Sequence, residues 1–128
     1  MKMYKRHNFK NLKIWNQSME IAADVNGAVK DWPREERFEL TSQAIRSAYS
    51  IPSNIAEGSA KSSRKDFRRF LEISLGSCYE LETQLILAAR FKYGNTEKIN
   101  SILESLSEEQ RMILGMIERL TKEINQSS

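Results

Sequence analysis

Five cations stand within residues 61–69: Lys61, Arg64, Lys65, Arg68 and Arg69, with Asp66 the one acid among them. Side chains of this kind do one sort of chemistry well. They contact phosphates, a contact that is salt-sensitive and nearly blind to base sequence. Arg64 and Arg68 are four residues apart, as are Lys65 and Arg69, so on a helix they form two rows on adjacent strips. A second basic run, Lys2, Lys5, Arg6, Lys10 and Lys13, opens the chain with no acid in residues 1–13. From Gly94 onward the balance turns acidic, and the net charge is only +3. A basic end and an acidic end suit a surface for an anionic partner, RNA first and DNA second. The plainer meaning of such a run is a solvated helix face. No recognised nucleic-acid motif accompanies it, and Phe67 and Phe70 are expected in the core rather than exposed among the cations.

Catalytic constellations are absent from the sequence. Glu80 and Glu82 are two apart and point to different faces of a helix, so they make no carboxylate pair. Cys78 is the only cysteine and sits at a core spacing, which suits a small buried side chain better than a reactive thiol. His7 has no second histidine and no nearby cysteine to complete a metal site. There is no Glu-x-x-His pattern, no glycine-rich phosphate loop and no nucleophile with a base. Neither an enzyme nor a cofactor is expected. Arg46, Asn54, Glu57, Glu80 and Glu82 are polar residues on largely apolar segments. They line a binding groove or make bonds between helices or subunits, and the second reading is preferred, with Glu80 and Glu82 paired to Arg46 of a neighbouring helix or subunit.

The elements that carry these residues read as helices. Apolar residues make up 40% and charged residues 29% of 128 residues, with only two prolines and five glycines, an ordinary globular balance short of turn formers. The length fits one domain, residues 1–128. No apolar run approaches the roughly 18–20 residues that cross a membrane, and the basic N-terminus lacks a signal-peptide core, so a cytoplasmic location is expected.

After a basic tail of about residues 1–10, the first helix is predicted over 12–31. Leu12, Trp15, Met19, Ala22 and Val29 form one stripe, with Ile14, Ile21, Val25 and Ala28 beside it. Trp32-Pro33 stops it. The second helix is predicted over 35–57, with Leu40, Ala44, Ala48, Ile51 and Ile55 inward, a kink at Pro52, and Gly58 at the C′ position with positive φ. Ser53 and Asn54 are placed to bond backbone groups freed by the proline. Glu57 faces the negative end of the helix dipole and is expected to pair with Arg64, Lys65 or Arg68 across the loop.

The third helix is predicted over 63–91, capped by Ser63 with Asp66 in the capping-box place. Phe67, Leu71, Ser74, Cys78, Leu81, Leu85 and Ala88 form its inner stripe, and Phe70, Ile73, Leu87 and Phe91 widen it beyond one seam. Gly76 and Ser77 are expected to admit another backbone. The fourth helix, capped by Asn95 or Thr96, is predicted over 96–124. Its seam is Ile99, Leu106, Gln110, Ile113, Ile117, Leu120 and Ile124, and Gln126-Ser-Ser frays beyond it. Four helices with short loops make an all-α, antiparallel, up-down-up-down bundle.

The runs F-K-N-L-K-I-W, Q-A-I-R-S-A-Y-S-I-P-S-N-I-A-E-G, K-S-S-R-K-D-F-R-R-F-L-E-I-S-L and G-S-C-Y-E-L-E-T-Q-L carry a resemblance, over roughly Phe9 to Gly94. The chain resembles the four-helix bundle proteins encoded by intervening sequences in bacterial 23S rRNA genes. Lys61 stands where that family often has Arg, Asp66 where Glu is usual and Ser74 where Ala is usual; the first weakens any role needing a bidentate guanidinium there. The resemblance implies a ring-like homopentamer and kinship with the accessory variability protein of diversity-generating retroelements, which works with a reverse transcriptase and its template RNA. The wide apolar faces of the first and third helices agree with an oligomer on their own account. Two functions follow: a non-catalytic RNA- or DNA-binding bundle, or a scaffold and accessory subunit for a reverse transcriptase or other protein.

Overall fold

The computed structural model describes residues 4–127, and Lys2 of the N-terminal basic run lies outside them. Four α-helices form: α1, Lys13–Ala28; α2, Leu40–Ser59; α3, Arg64–Arg90; and α4, Thr96–Ser127. Single 3₁₀ turns at Phe9–Asn11, Val29–Asp31 and Arg34–Glu36 precede or join them, and no strand occurs among the described residues.

Local chemistry sets most of the ends. Trp32 leaves α1 in an extended conformation, as the following proline demands. Ser63 Oγ accepts from Asp66 N at 3.2 Å, and Asn95 Oδ1 accepts from the amides of Glu97 and Lys98. The turn before α4 holds Lys92 and Gly94 at φ 61° and 65°. Gly94 rests on the Trp32 indole, where a Cβ would stand 2.9 Å from Cδ1.

Several ends depart from expectation. α2 begins at Leu40 rather than near residue 35, because Glu36 stays in a 3₁₀ turn. From there its carboxylate accepts from the Leu40 amide (3.3 Å) and the Tyr93 hydroxyl (2.8 Å), filling the place of a cap. Gly58 is not a positive-φ C′ residue either; α2 runs on to Ser59 with Gly58 buried inside it. Its role is packing: a Cβ there would come within 2.7 Å of Phe70 Cβ and 3.0 Å of Phe67 Cδ1. At the other end of the chain, α4 extends through Gln126 and Ser127, where Ser127 Oγ donates to the Glu123 carbonyl.

Pro52 lies buried inside a continuous α2. Without an N–H it leaves the Ala48 carbonyl without its helix partner. Ser53 Oγ donates to the Tyr49 carbonyl (2.9 Å) and Asn54 Nδ2 to the Ser50 carbonyl (2.8 Å), so both side chains bond the backbone past the gap rather than Ala48 itself.

One hydrophobic core joins the four helices. The whole predicted inner stripe of α3, Phe67 through Ala88, is buried, as are Ile99, Leu106, Ile113 and Leu120 of α4. Each such large side chain contributes about 1.5–3 kcal/mol. Ser74 is satisfied inside by donating to the Ile51 carbonyl of α2 at 3.0 Å, so a hydroxyl is tolerated there. Phe70 is also buried, but Met19, Ile73, Leu87 and Phe91 are left 45%, 43%, 37% and 54% exposed, uncovered by the chain's own helices. Nothing lies within 4 Å of a Cβ built at Gly76, so the close backbone approach expected there is not made within the chain. No helix among the described residues is long and apolar enough to cross a membrane.

Candidate nucleic-acid interface

The two basic runs, separated by some fifty residues of sequence, meet at one end of the bundle. Arg6 Nε donates to the Ala60 carbonyl at 2.8 Å, which puts the N-terminal segment against the α2–α3 loop beside Lys61. That segment is no loose tail. The His7 ring lies 5.1 Å from Phe67, Tyr4 lies 6.3 Å from His7, and Phe9 meets Trp15 edge-on at 5.1 Å. Lys5, Lys10 and Lys13 are exposed on it, Lys10 standing 5.9 Å over the Phe9 ring.

The five cations of α3 and its approach divide by what they touch. Lys61 and Arg69 both stand over the Phe70 ring, at 5.0 and 4.6 Å. Arg64 stacks on Tyr4 at 5.1 Å and reaches Glu123 of α4 at 3.6 Å. Arg68 donates to Thr121 Oγ1 at 3.1 Å. Lys65 is exposed, with no hydrogen bond or ion pair to the described residues. Aromatic rings therefore do stand among the cations, as platforms beneath them rather than as exposed stacking faces. A cleft of about 520 Å³ opens at the start of α3, lined by Tyr4, Ser62, Ser63, Arg64, Lys65 and Arg68. The dipole of a helix start also favours an anion in the same place, although the Asp66 amide is already taken by Ser63.

Burial sets the titration of the two N-terminal rings, with the neighbouring cations acting second. Burial chiefly, and then the nearby Arg119, lower the His7 pKa below its ordinary value. Burial raises that of Tyr4 against the opposing pull of Arg64. Arg119 was not legible as part of this end, because it lies in the acidic C-terminal segment; only the return of α4 to the start of α3 brings it near.

The polar residues of the helices take other places. Glu57 is exposed and forms no ion pair with the described residues; of its three expected partners, Arg64 turns to Glu123, Arg68 to Thr121, and Lys65 pairs with none of them. Arg46 and Glu80 flank a small groove with Ser47, Ser50, Ser77 and Gln84 without forming an ion pair. Glu82 accepts from Gln110 Nε2 of α4 at 2.8 Å rather than from Arg46. Asn54 bonds Ser50 on its own helix, and Ser50 carries the link across to Ser77 of α3 at 2.8 Å. Gln84 is satisfied with its amide nitrogen turned to the Gln43 carbonyl (3.3 Å) and Ser47 Oγ (3.0 Å). These bonds join helices; they do not assemble a reactive centre.

Cys78 is buried, and desolvation pushes its thiol up to about 12. Among the described residues, no three or more His, Cys, Asp or Glu side chains gather where a metal could sit. What the fold and the site define is a four-helix bundle with cations concentrated at one end.

The chain belongs to the 23S rRNA-intervening sequence protein family, whose model matches residues 10–115. A crystal structure of a protein of unknown function from the S23 ribosomal protein family of Bacteroides thetaiotaomicron VPI-5482 is similar to it. The two are 29% identical with a TM-score of 0.73, over 81% of this chain and 97% of that one. No curated protein matches the chain.

Proposed function

We propose that this protein is a non-catalytic, cytoplasmic nucleic-acid-binding bundle, with RNA its first partner, held through phosphates at the basic end. The observation that carries this reading is the contact of Arg6 with the Ala60 carbonyl, since it merges two separate basic runs into one surface. Lys61, Arg64, Lys65, Arg68 and Arg69 supply one side of that surface, and Lys5, Arg6, Lys10 and Lys13 the other. Lys65 has no competing partner among the described residues, and Arg64 is held by a partly exposed ion pair with Glu123, a contact of a kind that contributes about 1 kcal/mol or less.

The reading includes a single domain in which the helices run up, down, up and down, antiparallel to their neighbours. The Arg64–Glu123 contact at one end and the Lys98–Asp31 contact at the other support that course. It also includes the ring-like homopentamer implied by the family resemblance, in which repeated patches would add by avidity.

A second reading, a protein scaffold or accessory subunit, is favoured by the exposure of Ile73, Leu87 and Phe91 on α3. Binding of structured RNA and duplex DNA at about 50 and 200 mM salt decides between them. The comparison is a variant with Arg64, Lys65, Arg68 and Arg69 replaced by Ala. Salt-dependent binding lost in the variant supports the nucleic-acid reading. No binding by a correctly assembled oligomer overturns it in favour of the scaffold.

A further inference from the structure

Glu109 is the one ionisable carboxylate without solvent exposure among the described residues. Its position explains why. It follows Leu106 by three residues and precedes Ile113 by four, both fully buried, so it occupies the inner stripe of α4. Both carboxylate oxygens are closed off from water, and neither meets a donor among the described residues.

Among the described residues, the elements around it supply no counter-charge. From α3 the titratable neighbours are the Cys78 thiol and, beyond it, Glu82, already engaged by Gln110. Along α4 the neighbour is Glu108, a second carboxylate. α1, the other helix packed on α4, carries Lys13, Glu20 and Asp24, all exposed. Arg46 of α2 is exposed as well. An ionised carboxylate with no donor and no cation is poorly tolerated in such a place, whereas the neutral acid is tolerated far better.

We propose that Glu109 makes the seating of α4 on α1 and α3 conditional on a proton: the closed bundle holds the neutral acid, and an opening that wets this side chain releases the proton. Burial, with Glu108 acting in the same direction, pushes the carboxyl up to about 8 from an ordinary value of 4.5, in agreement with that geometry. Between these limits the open form sheds a proton that the closed form keeps, so opening becomes about tenfold easier per pH unit. Opening also bares Leu106, Ile113 and Cys78, so the device couples pH near neutrality to exposure of the core. It is independent of the basic end and of any nucleic acid.

Hydrogen exchange along α4 of the full chain tests it, corrected for intrinsic exchange and read for the wild type, Glu109→Leu and Glu109→Gln at about pH 5.5 and 7.5. The wild type is expected to lose about a hundredfold in α4 protection between the two, and both variants to stay level. Glu109→Gln keeps the shape of the side chain and serves if Glu109→Leu fails to fold. Infrared absorption of a protonated carboxyl at about pH 7, present in the wild type and missing from Glu109→Gln, would add direct support. Equal changes in protection in the wild type and Glu109→Gln, or an ionised carboxyl in the closed bundle near pH 6, would overturn the proposal.

Discussion

Gly58 of α2 lies flush against Phe70 of α3, so close that a single added Cβ would stand 2.7 Å from the Phe70 Cβ. The contact is between a helix backbone and the root of a side chain, neither of which can swing aside. Gly58→Ala should therefore lower stability by about 1–3 kcal/mol, the usual cost of overpacking. That loss opposes the roughly 1 kcal/mol that Ala gains over Gly within a helix. Gly27 and Gly76 lie in α1 and α3 with nothing within 4 Å of an added Cβ. Ala at either should stabilise by about 0.5–1 kcal/mol. Urea melts of the three variants check both signs; a stabilising Gly58→Ala would refute the packing role.

The Gly58 contact also separates what was legible in the sequence from what was not. A glycine ending an apolar stripe looks the same whether it serves as a left-handed cap or a packing surface, and only the position of Phe70 decides. The α3 stripe from Phe67 to Ala88 was legible because a 3.6-residue period is a local property of the chain. Arg6 meeting Ala60 was not, since no local rule joins residues 54 apart. Glu109 left a signal that was passed over. Its spacing from Leu106 and Ile113 fits the inner stripe as well as that of Gln110 does, so the period alone does not choose between them.

Glu57 illustrates the reverse error. A carboxylate in a last helical turn suggests an ion pair with Arg64, Lys65 or Arg68, but the side chain is exposed, Arg64 contacts Glu123 and Arg68 contacts Thr121. Glu57→Ala and Glu104→Ala should both fall within about 0.5 kcal/mol of the wild type. Thermal melts measure this directly. A loss clearly larger at Glu57 would restore a tie that is not made in the chain by itself.

Cys78 should behave as a core atom. With its thiol fully buried and pushed up to about 12, almost no thiolate exists near neutral pH. The folded protein should leave a thiol reagent unconsumed over hours and react at once in denaturant. Rapid reaction of the folded form at about pH 7 would mean that the core around Cys78 opens readily.

Lys65 and Arg69 offer a way to weaken the basic end without disturbing the fold. Lys65 is exposed and unbonded, and Arg69 is exposed with only its stacking on Phe70 to lose. Replacing both with Ala should shift stability by at most about 1 kcal/mol. If each contacts one phosphate, the slope of log affinity against log salt should fall by about 1.8 for duplex DNA and about 1.4 for single strands. Titrations across several salt concentrations give the slope. An unchanged slope in a variant of unchanged stability would remove these two residues from the interface.

Glu109, if it is held neutral as proposed, should make the stability of the chain fall as pH rises through neutrality. Its carboxyl holds a proton up to about 8 in the folded chain, against an ordinary 4.5. Below the lower value both states are protonated and the neutral acid is at its most favourable. As pH rises toward 8 the unfolded chain releases a proton that the folded chain keeps, and stability falls by about 1.4 kcal/mol per unit. Above 8 both states are ionised and the loss levels off. His7, with its pKa lowered by burial, acts in the opposite sense: its contribution is present above 6.5 and fades as pH drops. Glu109→Gln retains the His7 contribution and abolishes the other, so the difference between the two proteins isolates Glu109. Denaturant midpoints from about pH 5 to 9 should therefore fall in the wild type relative to Glu109→Gln. Parallel curves would mean that Glu109 finds a donor or water inside the bundle and titrates as an ordinary carboxylate.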